Sequence, residues 1–309
     1  MNPDMLVFTW WNPFFGFIVR TIASSFKRRA KKPVVIIAEN IISHESRWID
    51  VFLTKIALQT ADRFLVLSKI VEEGIKKLYP QIKVFRSSLP IYDCYQTLVH
   101  LTQDQAQQQL GLEGKKVLLF FGYIRQYKGL MNIIEALPLI RKQISNAHLL
   151  VVGEFYDHPQ PYLDTIKQLE LGNNITIINE YVANEAVHLY FTAANLAVLP
   201  YNEATQSGIL SIAYGFAKPV VITDVGGLAE LVDEGKTGFI VPPHDIPKLA
   251  DTVIRYFKEN LEQAFSQNIE VKRQENSFNK IRVIFEEIES DLKSERGIEH
   301  SCYDSQKRL

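Results

Sequence analysis

The sequence predicts an α/β fold built on parallel sheets, and three features carry that prediction. Short apolar runs alternate with longer segments of helical period along most of the 309 residues, the pattern left by strands covered on both faces. Residues 196–227 compress the pattern into one unit: an apolar strand LAVL, a polar turn, an apolar-periodic segment over 209–217, a second strand behind Pro219, and Gly226 and Gly227 closing it. Residues of special chemistry then stand directly after the strands, at the carboxyl edge where open α/β sheets bind ligands. At this length about two domains are expected, each able to bury its own core.

Residues 5–11 read as the first strand, broken by Asn12 and Pro13. Residues 14–26 follow as an apolar helix interrupted by Arg20 and the Ser24, Ser25 pair, and residues 27–32 are a basic run. A membrane span needs roughly 20 uninterrupted apolar residues, so this segment falls short. It reads either as a core-packed helix with a solvated end or as a peripheral contact with an anionic bilayer surface. A strand at 34–38 delivers Glu39 and Asn40, then Ser43, His44 and Glu45, to a loop. His44 is open to two readings there, an acid, base or sugar ligand at a strand end, or a local hydrogen-bonding residue. A helix over 50–60, a strand over 63–67, a helix over 69–78 stopped by Pro80, and a strand over 83–85 complete the first half.

The Gln-rich stretch 89–114, helical near 104–110, reads as a bridge. Beyond it strands are expected over 116–121, 148–152, 175–178, 196–199, 220–223 and 238–241 with helices between, a doubly wound sheet. Past residue 261 the chain is helical and charged, and a disordered polar tail is expected from about 293.

Hydrophobic residues at 47% and charged residues at 22% exclude a largely disordered chain. The net charge of −1 gives no electrostatic reason to expect a nucleic-acid partner. Cys94 and Cys302 lie far apart without metal-ligand spacing, so no zinc or redox motif exists and a reducing, cytoplasmic setting is the simpler expectation. The opening MNPDM lacks a basic n-region before an apolar core, and no cleavable signal is expected from it.

Four of the special placements fall in the second half: Gly122 after VLLFF, Gly153 and Glu154 after LLVV, Pro200 and Tyr201 after LAVL, and residues 224–227 after VVIT. Together they line one edge of one sheet. In GYIRQYKG, Arg125 and Lys128 are spaced to clamp a diphosphate, Arg as a planar fork and Lys as a point charge, although alone they would read as a solvated face. Thr205, Gln206, Ser207 and Gly208 lead straight into a helix whose free N–H groups and positive dipole end suit the same anion. Gly226 and Gly227 read as an anion-binding nest or as a tight turn. Glu230 reads as a first-turn acid favoured by the helix dipole.

These residues resemble the retaining GT-B glycosyltransferases of the large family 4, the glycosyl transferases group 1. The pattern of that family runs G-R-x-x-x-x-K-G, a proline–acid loop, then G-x-P-V-V-x-x-x-x-G-G-x-x-E. Here it stands as Gly122, Lys128 and Gly129, the loop 201–208, Ala217 to Val221, and Gly226 and Gly227 with Glu230. The resemblance covers about 115–292 and implies an α/β GT-B architecture of two Rossmann-like domains. It implies transfer of a sugar from a UDP- or GDP-type donor to a glycan or lipid-linked acceptor, with retention of configuration and without metal or other cofactor. The donor would be held by Gly122, Arg125, Lys128, Thr205, Gln206, Ser207, Gly208, Gly226, Gly227 and Glu230. His44 and Glu203 would be catalytic, with Trp10, Trp11 and Asn40 on the acceptor side. The setting would be cytoplasmic polysaccharide or glycolipid assembly, with peripheral contact at the inner membrane face left open.

Departures from the pattern matter. Two glutamates of the family, seven residues apart, fall at Ala204 and Ile212, with Glu203 beside the first; the second usually holds the donor ribose. The arginine that follows the first glycine is Tyr123, with Arg125 in its place, and a histidine near Asn40 aligns with Glu39, leaving His44 as its replacement. The family also places a glycine-rich strand and further strands before anything like residues 3–15, so the first domain is expected to be incomplete, leaving sheet edges unpaired. The expected division is a partial acceptor-side domain over 1–100, a nucleotide-sugar domain over 101–275, a helix over 276–292 and the tail over 293–309. Two other functions fit this sequence: a non-catalytic or degenerate nucleotide-sugar-binding subunit and, less well, an epimerase, which needs an acid–base pair that the sequence does not locate.

Overall fold

The computed structural model describes residues 3–41, 48–92, 94–95, 101–276 and 278–306. It divides into two compact units, Met1–Ser88 with Phe278–Leu309, and Leu89–Ser277. The first unit alternates β1 (Leu6–Trp10), α1 (Gly16–Ala30), β2 (Val34–Ala38), α2 (Trp48–Leu58), β3 (Arg63–Val66), α3 (Lys69–Leu78) and β4 (Lys83–Arg86). The second contains α4 (Gln103–Gln109), β5 (Lys116–Phe121), α5 (Leu130–Gln143), β6 (Ala147–Val152), α6 (Gln160–Gln168), β7 (Ile175–Ile178), α7 (Val187–Ala193), β8 (Leu196–Leu199), α8 (Gly208–Gly215), β9 (Val220–Thr223), β10 (Gly238–Val241), α9 (Ile246–Lys258) and α10 (Glu262–Glu275). A last helix, α11 (Phe278–Gln306), belongs to the first unit. It runs to Gln306, across residues 293–306 of the stretch that the sequence reading assigns to a disordered tail.

Both sheets are wholly parallel, in the orders β1-β2-β3-β4 and β10-β9-β8-β5-β6-β7. Strand β6 is buried at every position, as are β8 and β9, which is why each reads as an apolar run interrupted only by the buried His148 of β6 and Thr223 of β9. Side-chain alternation along β5 separates two cores. Leu118 and Phe120 pack with α5 and α9 on one face, while Val117 and Leu119 pack with α7 and α8 on the other. In the first unit Val34, Ile36 and Ala38 face the core that includes Val19 and Ala23 of α1, and Val35 and Leu65 face Ile284, Ile288 and Leu292 of α11. Arg63 clamps that helix through Asp291 at 2.6 Å.

Helix starts are set by side chains that satisfy otherwise orphaned N–H groups. Thr102 and Gln105 form a reciprocal capping box on α4, Ser207 caps α8 and Asp245 caps α9 behind Pro247. Among the described residues no helix is long and apolar enough to cross a membrane.

Candidate functional site

In the second sheet the chain moves outward from β5 to β6 and β7, then returns to place β8 on the other side of β5. That reversal makes a switch point, and a crevice opens outside the carboxyl ends of the two diverging strands. The loop after β5 carries Gly122 to Gly129 and the loop after β8 carries Pro200 to Ser207, so both candidate anion-binding segments flank it.

Hydrogen bonds lock the two loops together. Asn132 on α5 donates from Nδ2 to the Pro200 carbonyl and to Asn202 Oδ1, both at 2.9 Å. The Asn202 N–H donates to the Tyr127 carbonyl at 2.7 Å, and its side chain donates to the Gln126 carbonyl at 3.1 Å. Lys128 thereby becomes a buried cation on a short 3-10 turn (Gln126–Lys128). A Cβ placed on Gly122 would lie 3.1 Å from Lys128 Nζ and 3.2 Å from Ile209 Cδ1 on the first turn of α8. The lysine head and a side chain from the first turn of α8 therefore both close on the Gly122 backbone. Burial, reinforced by the nearby Arg125 cation, pushes the Lys128 pKa down to about 8. An ammonium so desolvated has strong reason to take an anionic partner.

These groups stand at one end of a cavity of about 240 Å³. Phe121, Val182, Val187, Ile209 and Ile212 supply apolar wall, and Glu154, Glu180, Tyr181 and Asn184 supply polar groups. An apolar pocket with a few convergent polar groups is the usual form of a small-ligand site. Tyr201 sits beneath Lys128, with Nζ 5.9 Å from the ring centroid, and its hydroxyl lies 3.2 Å from Ser207 Oγ, the α8 cap. Burial pushes the Tyr201 hydroxyl pKa up, so it stays a neutral hydrogen-bonding group.

The other expected donor residues fall around this centre in different ways. Gly208 opens α8, with only Tyr92 Cε2 near a built Cβ, at 3.6 Å. Gln206 holds its amide oxygen buried with no hydrogen-bond partner among the described residues. Gly226 has φ +53° and lies so close to the Ala204 carbonyl that any side chain would strike it, and the Gly227 N–H donates to the Thr205 carbonyl at 3.0 Å. The glycine pair thus braces the 204–205 loop. Arg125 is exposed and stacks its guanidinium 4.4 Å over Tyr156, outside the cavity lining. Glu203 and Glu230 are exposed and also lie outside that lining.

In the first unit, His44 lies outside the described residues. Trp10 is buried in the β1 core, and Asn40 donates to the Trp11 carbonyl at 3.0 Å. Glu39, at the carboxyl end of β2, has its carboxyl pKa pushed up by burial, a property of general acids that the sequence reading passed over in favour of His44. Sequence reasoning also missed the cavity walls from the loop after β7, Tyr181, Val182 and Asn184, because no motif marks them.

A doubly wound parallel sheet with a buried lysine and a helix start at its switch point is an arrangement suited to an anionic ligand. Residues 115–259, within the second unit, match the sequence profile described as Glycosyl transferases group 1. The chain is 26% identical over 202 residues to a lipopolysaccharide 1,2-N-acetylglucosaminetransferase of Salmonella typhimurium, covering 62% of this chain and 51% of that protein. It is 27% identical over 175 residues to the capsular polysaccharide biosynthesis glycosyltransferase CapM of Staphylococcus aureus, covering 56% and 45%. The chain spans about half the length of the curated relatives it matches. The fold resembles that of Anabaena Alr3699/HepE in complex with UDP-glucose, with a TM-score of 0.73 at 20% identity over 94% of this chain and 79% of that one. The α/β fold with parallel sheets is thus that of GT-B glycosyltransferases.

Proposed function

We propose that this chain serves sugar transfer from a nucleoside-diphosphate sugar to a glycan or lipid-linked acceptor, with retention of configuration. The observation that carries the reading is the approach of Lys128 Nζ and of the Ile209 side chain, from the first turn of α8, to within 3.1–3.2 Å of a Cβ built on Gly122. A diphosphate there receives N–H donors from α8 and the charge of Lys128, both fixed before the reaction begins. As the bond from sugar to phosphate breaks, negative charge accumulates on the leaving diphosphate, and these groups stabilise it more than they stabilise the intact donor. Lys128 and the helix dipole take the role that a metal fills in other phosphate sites, so the reaction is read as metal-independent. The apolar cavity next to them fits a flat base, and the orphaned Gln206 oxygen fits a donor hydroxyl. The UDP-glucose complex of the structural neighbour supports a UDP-type donor, and the lipopolysaccharide and capsule relatives support a glycan-type acceptor.

Calorimetry with UDP and GDP tests the donor site. The unaltered chain is expected to bind at least one of them, and Lys128→Ala to bind it at least ten-fold more weakly, the loss of about one charge-assisted contact. Equal affinities, or no binding by either chain, would sink the reading. Transfer by the unaltered chain that survives chelation and yields one anomer would support metal independence and retention.

One observation favours a second reading, a nucleotide-sugar-binding subunit without turnover. Ile212 lies in the cavity wall at the position where the resemblance implies a ribose-holding glutamate. Labelled UDP- and GDP-sugars separate the two, since binding without transfer or hydrolysis assigns the subunit role.

A further inference from the structure

Strand order gives the cavity of the second unit a direction. Lys128 and Gly122 stand at its β5 end beside α8, whereas Glu154 follows β6, and Glu180, Tyr181 and Asn184 follow β7, on the far side of β5 from β8. A nucleoside diphosphate anchored by its phosphates at Lys128, a placement that rests on the donor-site reading, runs its base toward the β7 loop. Its pentose crosses the stretch in between. Base and phosphate leave the pentose from one face and its hydroxyls from the other, so a ring held at both ends turns its hydroxyl face to the wall between them.

That wall is hydrocarbon. Ile209 and Ile212 are three residues apart on α8, so one face of the helix presents both to the cavity. Phe121 and Val187 continue it, and all four pack in the core cluster on the α7 and α8 side of the sheet, with Val187 and Ile212 only 3% and 7% accessible. Tyr95, also in the lining, packs its ring against the same cluster. The hydroxyls of α8 are not available to a ligand here. Ser207 Oγ is engaged by the Leu210 N–H and by the Tyr201 hydroxyl, and Ser211 is fully buried outside the lining. Among the described residues the carboxylates of the lining are Glu154 and Glu180, both exposed and both beyond β5 at the base end. In water a pentose hydroxyl is fully hydrogen-bonded; against such a wall it loses that water and gains no partner, which costs free energy. A CH2 at the same place loses nothing and gains from burial.

We propose that the Ile209–Ile212 wall selects a donor built on a 2′-deoxyribonucleoside diphosphate, taking the pentose that lacks the 2′-hydroxyl in preference to ribose. The 3′-hydroxyl is common to both pentoses and does not enter the comparison. Discrimination is moderate, because an apolar wall disfavours an added hydroxyl only by leaving it unpaired.

Calorimetry of the full chain with UDP against dUDP and with GDP against dGDP tests it. For whichever base the chain accepts, the deoxy form is expected to bind roughly five- to fifty-fold more tightly. Ile212→Glu sets a hydrogen-bond acceptor in the wall and is expected to bring that ratio to one or below. Its negative charge weakens both ligands alike, so the ratio and not the affinity is the readout. Ile212→Thr, which keeps the branched shape and adds one hydroxyl, is expected to narrow the ratio several-fold. Equal or tighter binding of the ribonucleotide by the unaltered chain overturns the proposal and leaves the donor site standing. A preference for the deoxy form that neither substitution moves also overturns it, since the wall would then not be what reads the pentose. Failure of all four ligands to bind removes the donor-site reading, and this inference with it.

Discussion

At the scale of the residue, the donor role proposed for Lys128 sets folding against ligand binding. Its pKa is about 8 in the folded chain against 10.5 ordinarily, because burial disfavours the charged form. Between those two values the unfolded state binds more protons than the folded one, so stability rises with pH across that window. Below about pH 8 the full penalty is present, on the order of 3 kcal/mol from the size of the difference. Replacing the ammonium by an apolar chain of similar length removes it. Lys128→Met is therefore expected to resist urea better than the unaltered chain at pH 7 by about 1–3 kcal/mol, with the gap closing as the pH approaches 10. Its nucleoside-diphosphate affinity moves the other way. The unaltered chain is expected to bind more weakly as pH rises from 7 through 9, while the variant stays weak and flat; calorimetry at the two pH values checks both. A variant that binds as tightly as the parent would show that Lys128 meets no anion.

At the scale of the element, the site depends on holding two crossovers together. Asn132 is the pin, reaching from α5 to Pro200 and Asn202 while Asn202 holds Gln126 and Tyr127. Asn132→Ala leaves partly buried acceptors unsatisfied and is expected to cost about 1–3 kcal/mol by chemical denaturation. It is also expected to weaken nucleoside-diphosphate binding several-fold, although residue 132 does not line the cavity. Much of this arrangement was legible in the sequence. Strands β5, β6, β8 and β9 read as apolar runs because both their faces are covered, and glycine, lysine and serine directly after β5 and β8 marked the edge to be read. The neighbour relation of β5 and β8 was not legible, since it pairs Leu118 with Leu196 across a long crossover. The same holds for Asn132, which looks like an ordinary polar position on an amphipathic helix until Pro200 is beside it. Ile212 was legible as a missing carboxylate, but only the structure puts that apolar side chain into the cavity wall.

At the scale of the whole molecule, α11 shows how a distant segment completes a core. The sequence reading expected a separate helix and tail, because local periodicity says nothing of a partner more than 200 residues away. Ile288 is fully buried against the face of the first sheet that carries Val35 and Leu65, and Arg63 reaches Asp291 beside it. The four core clusters each lie within one unit: two among residues of the first, two among residues of the second. Separate cores predict separate cooperative transitions, so a single unfolding energy is not the right description of this chain. Ile288→Ala removes buried volume from the smallest cluster and is expected to destabilise the first unit by about 2–4 kcal/mol. Scanning calorimetry then distinguishes the units: the substitution lowers the transition of the first while leaving that of the second in place, and a saturating nucleoside diphosphate raises the second alone through preferential binding to its folded form. A common shift of both transitions by either perturbation would mean that the two cores unfold as one, and that α11 supports more than the sheet it covers.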